Sequence, residues 1–346
     1  MHWTTSFEMF RNMSKKEKKK KQPFSGSIPD MFFMRLTDMF GQSLSVELQK
    51  TFVERPTTFR INALRSSETE VLNILKQEGF VLERVSWMSG SFILKNKKKR
   101  DLCDLTVYTD CMIYLQSLAS MVPPLVLDPQ SGERVLDLTA APGSKTSQMA
   151  VMMKRTGELV ANDKNKIRFF KLKHNMEQLG VTDRDEPFGG ASWQFTLRME
   201  PGTALVREYD AYFDKILLDA PCSAESRFVE GKPKTYGYWK EQKIKEMAYT
   251  QRALLLSAWG ALKPGGTLVY STCTFAPEEN ELQISLLLHR MEDAEVVPID
   301  MPSLGRLPIL KEWKGKKIHA DVQQCLRVKP TEEIEGFFVA KVRKGL

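Results

Sequence analysis

The chain has 346 residues, of which 42% are hydrophobic and 27% charged, so it can bury the core of one large or two ordinary domains. It contains no run of about 18 apolar residues, which predicts no membrane span, and its start lacks the apolar stretch of a secretory signal. Five cysteines without a CxxC pair favour a reducing, cytoplasmic location over a disulfide framework. A formal charge of +8 favours nucleic acid as a partner, with solubility alone as the alternative. We expect a monomer.

The first third of the chain predicts a tail and a small module. Residues 1–22 are predicted to be a disordered basic tail, because the lysines between 15 and 21 repel one another. Residues 23–104 predict two short helices divided by Gly41, then strand, helix, strand and strand over 57–94. This order is typical of part of a ferredoxin-like or RNA-recognition-motif-like α+β unit, although the aromatic signature used for base stacking is missing. The basic run at 95–100 suits phosphate contact or a solvated linker.

Residues 105–346 predict an α/β domain. A helix at 114–121, ended by Pro123 and Pro124, opens it. Strands are predicted at 134–138, 158–162, 192–196, 214–219, 267–272, 294–298 and 336–342, and helices at 144–154, 165–179, 240–262 and 277–291. Strands that alternate with crossover helices indicate a mostly parallel, seven-stranded sheet covered on both faces. No helix separates the last two strands, so the last strand is expected to be antiparallel.

The turn after the first of these strands predicts a ligand site, because ligands bind beyond the carboxyl ends of parallel strands. Gly143 is placed for a close approach of the backbone to a ligand, and Ser144 could cap the next helix. A single glycine excludes the dinucleotide and triphosphate cradles, which favours a nucleoside without a pyrophosphate. Asp163 lies 20 residues further on, where a carboxylate can bind ribose hydroxyls. A helix N-cap is the alternative role for Asp163, and the two are compatible.

Two cysteines follow strand ends in the same way. Asp219 ends an apolar strand and Cys222 comes three residues later, whereas Cys273 follows the next strand. If these strands are neighbours, about 4.8 Å apart, both sulfur atoms can reach one substrate. An isolated cysteine is more often a small buried hydrophobe, and that interpretation is kept for Cys103, Cys111 and Cys325. No metal site is expected, because the four histidines have no ligand-like spacing.

These segments resemble a known family. Asp137–Thr146, Asp219–Ser223 and Ser271–Thr274 are similar to the motifs of the Nop/Sun family of S-adenosylmethionine-dependent RNA cytosine carbon-5 methyltransferases. Other segments also resemble the family, namely Arg55–Arg60, Gln116 with Ser120 and Met121, Lys263–Gly266 and Glu335–Phe338. The resemblance implies a Rossmann-like methyltransferase domain over 105–346, S-adenosylmethionine as cofactor, and RNA as substrate, with rRNA favoured over tRNA.

The resemblance also implies roles for individual residues. Cys273 would add to carbon 6 of cytosine so that carbon 5 can accept the methyl group, and Cys222 would assist release of the product. Asp219 would hydrogen-bond the cytosine edge, and Lys145 would lie close by as an orienting group. The cofactor would be held by Thr139, Ala140, Ala141, Pro142, Gly143, Ser144, Lys145, Asp163 and Asp219. A duplex hides the base, so a single-stranded or flipped cytosine is required.

The sequence departs from the family pattern at two places. No acid occurs in 192–197, where members usually carry one near the adenine, and the loop after Cys222 lacks the usual glycine. We expect that loop to lead Lys232, Lys234, Tyr236 and Trp239 towards RNA. Two alternatives stay open, a catalytically silent RNA-binding or assembly factor and a methyltransferase for another nucleic acid. DNA cytosine enzymes lack a Thr-Cys partner such as Cys273, which disfavours the second.

Overall fold

The computed structural model describes residues 26–183 and 192–346, so the predicted basic tail lies outside the described residues. The described part begins with α1 (Asp30–Phe40) and α2 (Gln42–Gln49), which meet at Gly41. Gly41 has a φ of 79°, a backbone conformation that glycine adopts without steric cost. The two predicted helices are therefore confirmed, and the buried face of α1 carries Phe32, Leu36 and Met39.

The aromatic residues expected to lie near RNA belong instead to the core around α1. Tyr236 and Trp239 are buried together with Phe32 and Phe228. The Tyr236 hydroxyl donates to the Gly26 carbonyl at 3.0 Å, so this loop is tied to the start of the described chain. The expectation was wrong for these two side chains. A loop rich in aromatic residues has the same sequence pattern whether its rings face solvent or pack against a neighbouring helix.

A four-stranded antiparallel sheet follows. Its elements are β1 (Thr58–Ile61), α3 (Glu68–Gln77), β2 (Leu82–Arg84), β3 (Ser91–Leu94), α4 (Lys99–Cys103), α5 (Thr106–Thr109) and β4 (Ile113–Leu115). The strand order β2-β3-β1-β4 is that of a split βαβ unit, whereas the likeness to an RNA-recognition motif stays a prediction. Because β4 lies past residue 104, we propose that this module ends after β4.

Both faces of this sheet are covered. Phe59 on β1 packs with Val71 and Leu75 of α3. Arg60 points to the opposite face, where its guanidinium donates to Gln116 Oε1 at 2.8 Å and to Ser147 Oγ at 2.6 Å. Burial lowers the pKa of Arg60 to about 10. The module therefore contacts the larger domain through the buried Arg60 side chain. Neither face of its sheet is open for bases to stack on.

The next helix, α6 (Leu118–Leu127), corrects the prediction for 114–121. Residues 114 and 115 belong to β4, and the helix continues through Pro123 and Pro124 instead of ending at them. Proline has no amide hydrogen, so Pro124 leaves the Ser120 carbonyl without its helical donor. The Gln116 side chain donates to that carbonyl at 3.1 Å and replaces the missing bond. A side chain just before the helix has thus overridden a local helix-stop signal.

The larger domain is built on a second sheet. Its elements are β5 (Arg134–Asp137), α7 (Ser144–Met152), β6 (Gly157–Asn162), α8 (Lys166–Gln178), β7 (Trp193–Arg198), α9 (Gly202–Leu205), β8 (Phe213–Asp219), α10 (Glu241–Ala261), β9 (Leu262–Thr272), α11 (Glu281–Arg290), β10 (Ala294–Val297), β11 (Glu312–Trp313), β12 (Lys316–Lys317), β13 (Leu326–Val328) and β14 (Phe337–Lys344). Every predicted strand and helix from 134 onwards is present, with ends that differ by a few residues.

The strand order is β10-β14-β9-β8-β5-β6-β7, with the short β13 paired to β14. Strands β9, β8, β5, β6 and β7 pair in parallel, whereas β14 is antiparallel to β9 and to β10. The mostly parallel sheet and the antiparallel last strand are therefore confirmed, and β13 is an additional strand. Two apolar clusters cover the two faces of the sheet. None of the helices in the described ranges combines the length and apolarity that a membrane crossing requires.

Candidate active site

A cleft of about 1220 Å³ opens at the carboxyl ends of β5, β6, β8 and β9. Strands β8 and β9 are neighbours, with Asp219 directly opposite Ser271. This adjacency is the condition under which both cysteines were expected to reach one substrate. Predicted residues that line the cleft are Thr139, Ala140, Ala141, Pro142, Ser144, Lys145, Asp163, Asp219, Cys222 and Cys273. Among the described residues, no group of three or more His, Cys, Asp or Glu side chains is arranged to hold a metal ion.

The two thiols are in direct contact. The Cys222 and Cys273 sulfur atoms are 3.3 Å apart, and both cysteines are free rather than disulfide-bonded. The hydrogen bond from Cys222 lowers the pKa of Cys273 to about 7 against the opposing effect of burial, with help from the positive charges of Arg227 and Lys145. The same hydrogen bond and burial raise the pKa of Cys222 well above its ordinary value. One thiol of the pair therefore ionises more readily than the other, and the positive charges of Arg227 and Lys145 favour Cys273 as that thiol.

Arg227 is a functional candidate that the sequence analysis missed. It lies on the 3-10 turn Glu225–Arg227 and lines the cleft. Its pKa is raised chiefly by the nearby Cys273, so the guanidinium stays charged beside the thiol pair. Its side chain makes no hydrogen bond or ion pair with another described residue, which leaves its donors available to a ligand. The sequence signal was a single arginine a few residues past Cys222, which is weak without the fold.

Lys145 and Asp219 form the polar wall beside the thiols. Lys145 Nζ is 2.7 Å from Asp219 Oδ2 and 2.9 Å from Ser120 Oγ. The other carboxylate oxygen, Asp219 Oδ1, accepts from Ser271 Oγ at 2.8 Å. The lysine side chain is almost fully buried, whereas that of Asp219 is partly exposed to the cleft. The paired cation fixes the orientation of the Asp219 carboxylate.

The part of the cleft at the ends of β5 and β6 contains the residues predicted to contact the nucleoside. Asp163 Oδ1 accepts from the Asn165 amide at 2.9 Å, and its Oδ2 lies 3.4 Å from Arg168. Asn165, not Asp163, is the N-cap of α8, because its side chain accepts from the Arg168 amide. Ser144 is the first residue of α7 rather than its cap, which is Gly143. Asp163 is therefore positioned on the cleft wall without a capping role.

The hydrogen bonding of Asp137 indicates whether the cleft fits S-adenosylmethionine. Its Oδ2 accepts from Thr146 Oγ1 at 2.7 Å, whereas its buried Oδ1 has no hydrogen-bond partner among the described residues. Burial raises the pKa of this carboxyl to about 7. An unpaired buried oxygen on a cleft wall is costly unless a ligand supplies a donor. S-adenosylmethionine carries an ammonium group and ribose hydroxyls as donors, so Asp137 and Asp163 fit that group.

Gly143 is required by the packing of α8. Its φ is 103°, and a Cβ at this position would lie 2.5 Å from Met176 Cε and 2.9 Å from Leu172 Cδ1 on α8. It is also absent from the cleft lining. The crowding at Gly143 comes from the neighbouring helix, and a close approach of its backbone to a ligand stays a prediction. Gly143 lets the turn after β5 pack tightly on α8.

A buried network joins the two loops that carry the cysteines. Ser223 Oγ and Thr274 Oγ1 are 2.7 Å apart, directly after Cys222 and Cys273. Glu225 Oε2 accepts from Thr274 Oγ1 at 2.7 Å, and Glu279 Oε2 accepts from the Ser223 amide at 3.0 Å. Burial raises the pKa of Glu279 to about 8. Glu225 thus stands in the loop that lacks the usual glycine, and it fixes that loop to the Cys273 loop.

The acid that the sequence analysis did not find after the third strand is Glu200. β7 extends to Arg198, two residues beyond the predicted end, and Glu200 follows it. Its side chain pairs with Arg198 at 2.5 Å and is absent from the cleft lining. Pro201, Gly202 and Thr203 line the cleft there instead. This part of the wall is therefore formed by backbone and small side chains.

The strand order, the cleft at the strand ends and the acids after β5 and β6 define a Rossmann-like, S-adenosylmethionine-dependent methyltransferase. Residues 124–343 match the family described as 16S rRNA methyltransferase RsmB/F, and the chain belongs to this family of RNA methyltransferases. This confirms the resemblance to the Nop/Sun enzymes.

Individual relatives agree with this assignment. The chain is 35% identical over 291 residues to tRNA (cytosine(49)-C(5))-methyltransferase of Pyrococcus abyssi, which covers 84% of this chain and 88% of that protein. It is 34% identical over 325 residues to Ribosomal RNA small subunit methyltransferase F of Pectobacterium atrosepticum, which covers 92% of this chain but 63% of that longer protein. The crystal structure of a methyltransferase homologue from Pyrococcus horikoshii matches with a TM-score of 0.77 at 31% identity, over 91% of this chain and 95% of that one.

Proposed function

We propose that this protein methylates carbon 5 of a cytosine in RNA through a covalent intermediate on Cys273. The main observation is that the Cys222 and Cys273 sulfur atoms lie 3.3 Å apart, beside the pair formed by Lys145 and Asp219. These residues are at the same edge of the sheet as the residues predicted to contact the cofactor. Carbon 5 of cytosine is a weak nucleophile, so a reaction there needs a thiolate that first adds to carbon 6. S-adenosylmethionine supplies the electrophilic methyl group.

Cys273 is the nucleophile of the proposed reaction. As its sulfur bonds to carbon 6, the ring electrons shift and the ring nitrogen takes a proton from solvent, which makes carbon 5 enamine-like. The ring nitrogen returns that proton once carbon 5 has accepted the methyl group. Asp219 accepts a hydrogen bond from that protonated edge, and Lys145 orients the carboxylate through the contact at 2.7 Å. The lowered pKa of Cys273 supplies the thiolate near neutral pH.

Cys222 acts in the release of the product. Once Cys273 is bonded to carbon 6, Cys222 no longer faces a neighbouring thiolate, which is a principal cause of its raised pKa. Cys222 then loses its proton to solvent and accepts the proton from methylated carbon 5. Loss of that proton restores the ring double bond, breaks the bond from carbon 6 to Cys273 and frees the product.

A first prediction concerns Asp163, one of the residues predicted to hold the cofactor. We expect Asp163→Ala to weaken binding of S-adenosylmethionine at least about tenfold, because charged hydrogen bonds contribute roughly 1.5–3 kcal/mol. Isothermal titration calorimetry without RNA measures this directly. Asp163→Asn is the matched variant, since it keeps the size and loses the charge, and it should bind more weakly than wild type. Wild-type affinity in both variants would remove Asp163 from the site.

A second prediction concerns pH. Because the thiolate is the reactive form and the pKa of Cys273 is about 7, single-turnover methyl transfer should rise with pH and level off above that value. Arg227→Ala removes a positive charge that lowers this pKa, so the rise should move to higher pH, whereas Arg227→Lys should keep it near the wild-type position. An unchanged profile in Arg227→Ala would show that the arginine does not tune the thiol.

We propose rRNA of the small subunit as the substrate, on the basis of the family match, and tRNA as the second candidate, on the basis of the Pyrococcus abyssi relative. The test gives the purified protein labelled cofactor and unmodified rRNA or tRNA in separate reactions, and then digests the RNA to nucleosides. The expected product is 5-methylcytidine in the rRNA reaction. Transfer to tRNA alone would correct the substrate, and label in another nucleoside would overturn the chemistry.

The alternatives make different predictions in the same assay. A silent RNA-binding or assembly factor would bind RNA and yield no methylated nucleoside, and an enzyme for another nucleic acid would methylate single-stranded DNA in preference to RNA. The two free thiols contact each other, and Lys145 contacts Asp219 in the same cleft, which supports catalysis over assembly. We also propose a cytoplasmic location, since both cysteines must remain reduced.

A further inference from the structure

A second depression lies next to the active-site cleft. It has a volume of about 620 Å³ and is bordered by one face of α10, by α11 and by the hairpin β11–β12. Lys245, Tyr249 and Arg252 recur at i, i+4 and i+7 on α10, so they share one face of that helix. Lys316 and Lys317 come from the hairpin. We call this depression the basic groove.

The basic groove is strongly positive. Five cations line it, all exposed and none in a hydrogen bond or ion pair with another described residue: Lys245, Arg252, Arg290, Lys316 and Lys317. The carboxylate that also lines it, Glu278, is already bonded to Arg35 at 2.7 Å and to Trp313 at 2.9 Å. Since that negative charge is neutralised internally, the groove presents uncompensated cations to a polyanion.

Tyr249 connects the basic groove to the active site. It is the residue that lines both depressions through an aromatic ring, and 75% of its surface is exposed. On the side of the active site it is followed by Thr250 and Ala253. A large exposed ring between a catalytic cleft and a row of cations is the arrangement on which single-stranded bases stack.

The basic run at 95–100 is a weaker candidate for RNA contact. Lys95 already pairs with Glu83 at 2.9 Å and with Glu333 at 3.0 Å. Lys97 donates to the Glu78 carbonyl and lies over the Phe80 ring at 4.4 Å. Two of its cations are therefore engaged within the protein, and the run does not border the cleft. The basic groove, in contrast, adjoins the cleft through Tyr249.

We propose that the RNA strand flanking the target cytosine leaves the active site over Tyr249 and lies in the basic groove, with a neighbouring base stacked on the tyrosine and phosphates bound by the five cations. This inference rests on the proposed RNA methylation and adds the path of the substrate. Phosphate contacts there are independent of sequence, whereas the stacked base fixes the register of the strand.

The test measures binding of a fluorescent 20-nucleotide single-stranded RNA at several salt concentrations. Lys316→Glu with Lys317→Glu should weaken binding and make it less dependent on salt, since each phosphate contact contributes roughly 0.7 to the slope on single strands. Tyr249→Ala should weaken binding at least about fivefold, and Tyr249→Phe should not, because stacking needs the ring and not the hydroxyl. Lys76→Glu with Lys171→Glu is the charge-matched control, because these exposed lysines line neither depression.

The outcomes separate this inference from the proposed function. Wild-type RNA affinity and salt dependence in the Lys316/Lys317 variant, or equal losses in the Lys76/Lys171 control, would overturn the RNA path while methyl transfer by the wild-type protein stays as it is. Failure of the wild-type protein to methylate any RNA would overturn the proposed function instead. Affinity for S-adenosylmethionine should be unchanged in every variant, which shows that the fold is intact.

Discussion

Replacing Cys273 with alanine is expected to abolish methyl transfer, with a rate below roughly a thousandth of the wild-type rate, because the variant has no nucleophile for carbon 6. The measurement is transfer of labelled methyl groups to RNA under single-turnover conditions. Binding of S-adenosylmethionine should stay at the wild-type level, because the cofactor contacts lie on the other half of the cleft.

The control for this result is Cys103→Ala, which removes a free cysteine on α4 that is absent from the cleft lining. This variant should retain wild-type activity. Activity near the wild-type level in Cys273→Ala would show that another group attacks the base. Loss of cofactor binding in Cys273→Ala would show that the substitution disturbs the fold instead of the chemistry.

Replacing Cys222 with alanine is expected to trap the protein on its substrate. The nucleophile remains, so the bond to carbon 6 still forms, but the group that takes the proton from carbon 5 is gone and release is slow. We expect a protein–RNA species that survives denaturing electrophoresis and disappears after ribonuclease treatment. Multiple-turnover methylation should fall by at least about 100-fold, the usual contribution of a general base.

The double variant, Cys222→Ala with Cys273→Ala, is the matched control. It should form no covalent species, because the adduct requires the Cys273 sulfur. A persistent species in the double variant would place the attachment elsewhere. If Cys222→Ala alone turns over normally and leaves no adduct, Cys222 has no part in release.

The position of this site could be predicted because it lies at the ends of consecutive strands. Asp219, Cys222 and Cys273 each follow a recognisable apolar run, and β8 and β9 are both sequential and adjacent. The carboxyl ends of such strands meet at one edge, so strand positions alone brought the two thiols together. Their 3.3 Å separation could not be predicted, because it depends on the network between Ser223 and Thr274.

The features that sequence reasoning missed depend on long-range neighbours. Arg227 reaches the thiols because the buried carboxylate of Glu225 fixes its turn. Gly143 is required by the side chains of α8, which lie about 30 residues further along the chain. In each case a local rule held, but a tertiary contact decided the outcome.

The most direct test of the covalent mechanism uses RNA in which 5-fluorocytidine replaces cytidine. Fluorine on carbon 5 cannot leave as a proton, so the methylated adduct persists and can be located. Trypsin separates the two cysteines, because peptide 216–227 holds Cys222 and peptide 253–290 holds Cys273. Mass spectrometry should find the nucleotide, carrying one added methyl group, on peptide 253–290. Attachment to peptide 216–227, or no adduct after incubation with cofactor and an RNA that the protein methylates in its cytidine form, would contradict the account.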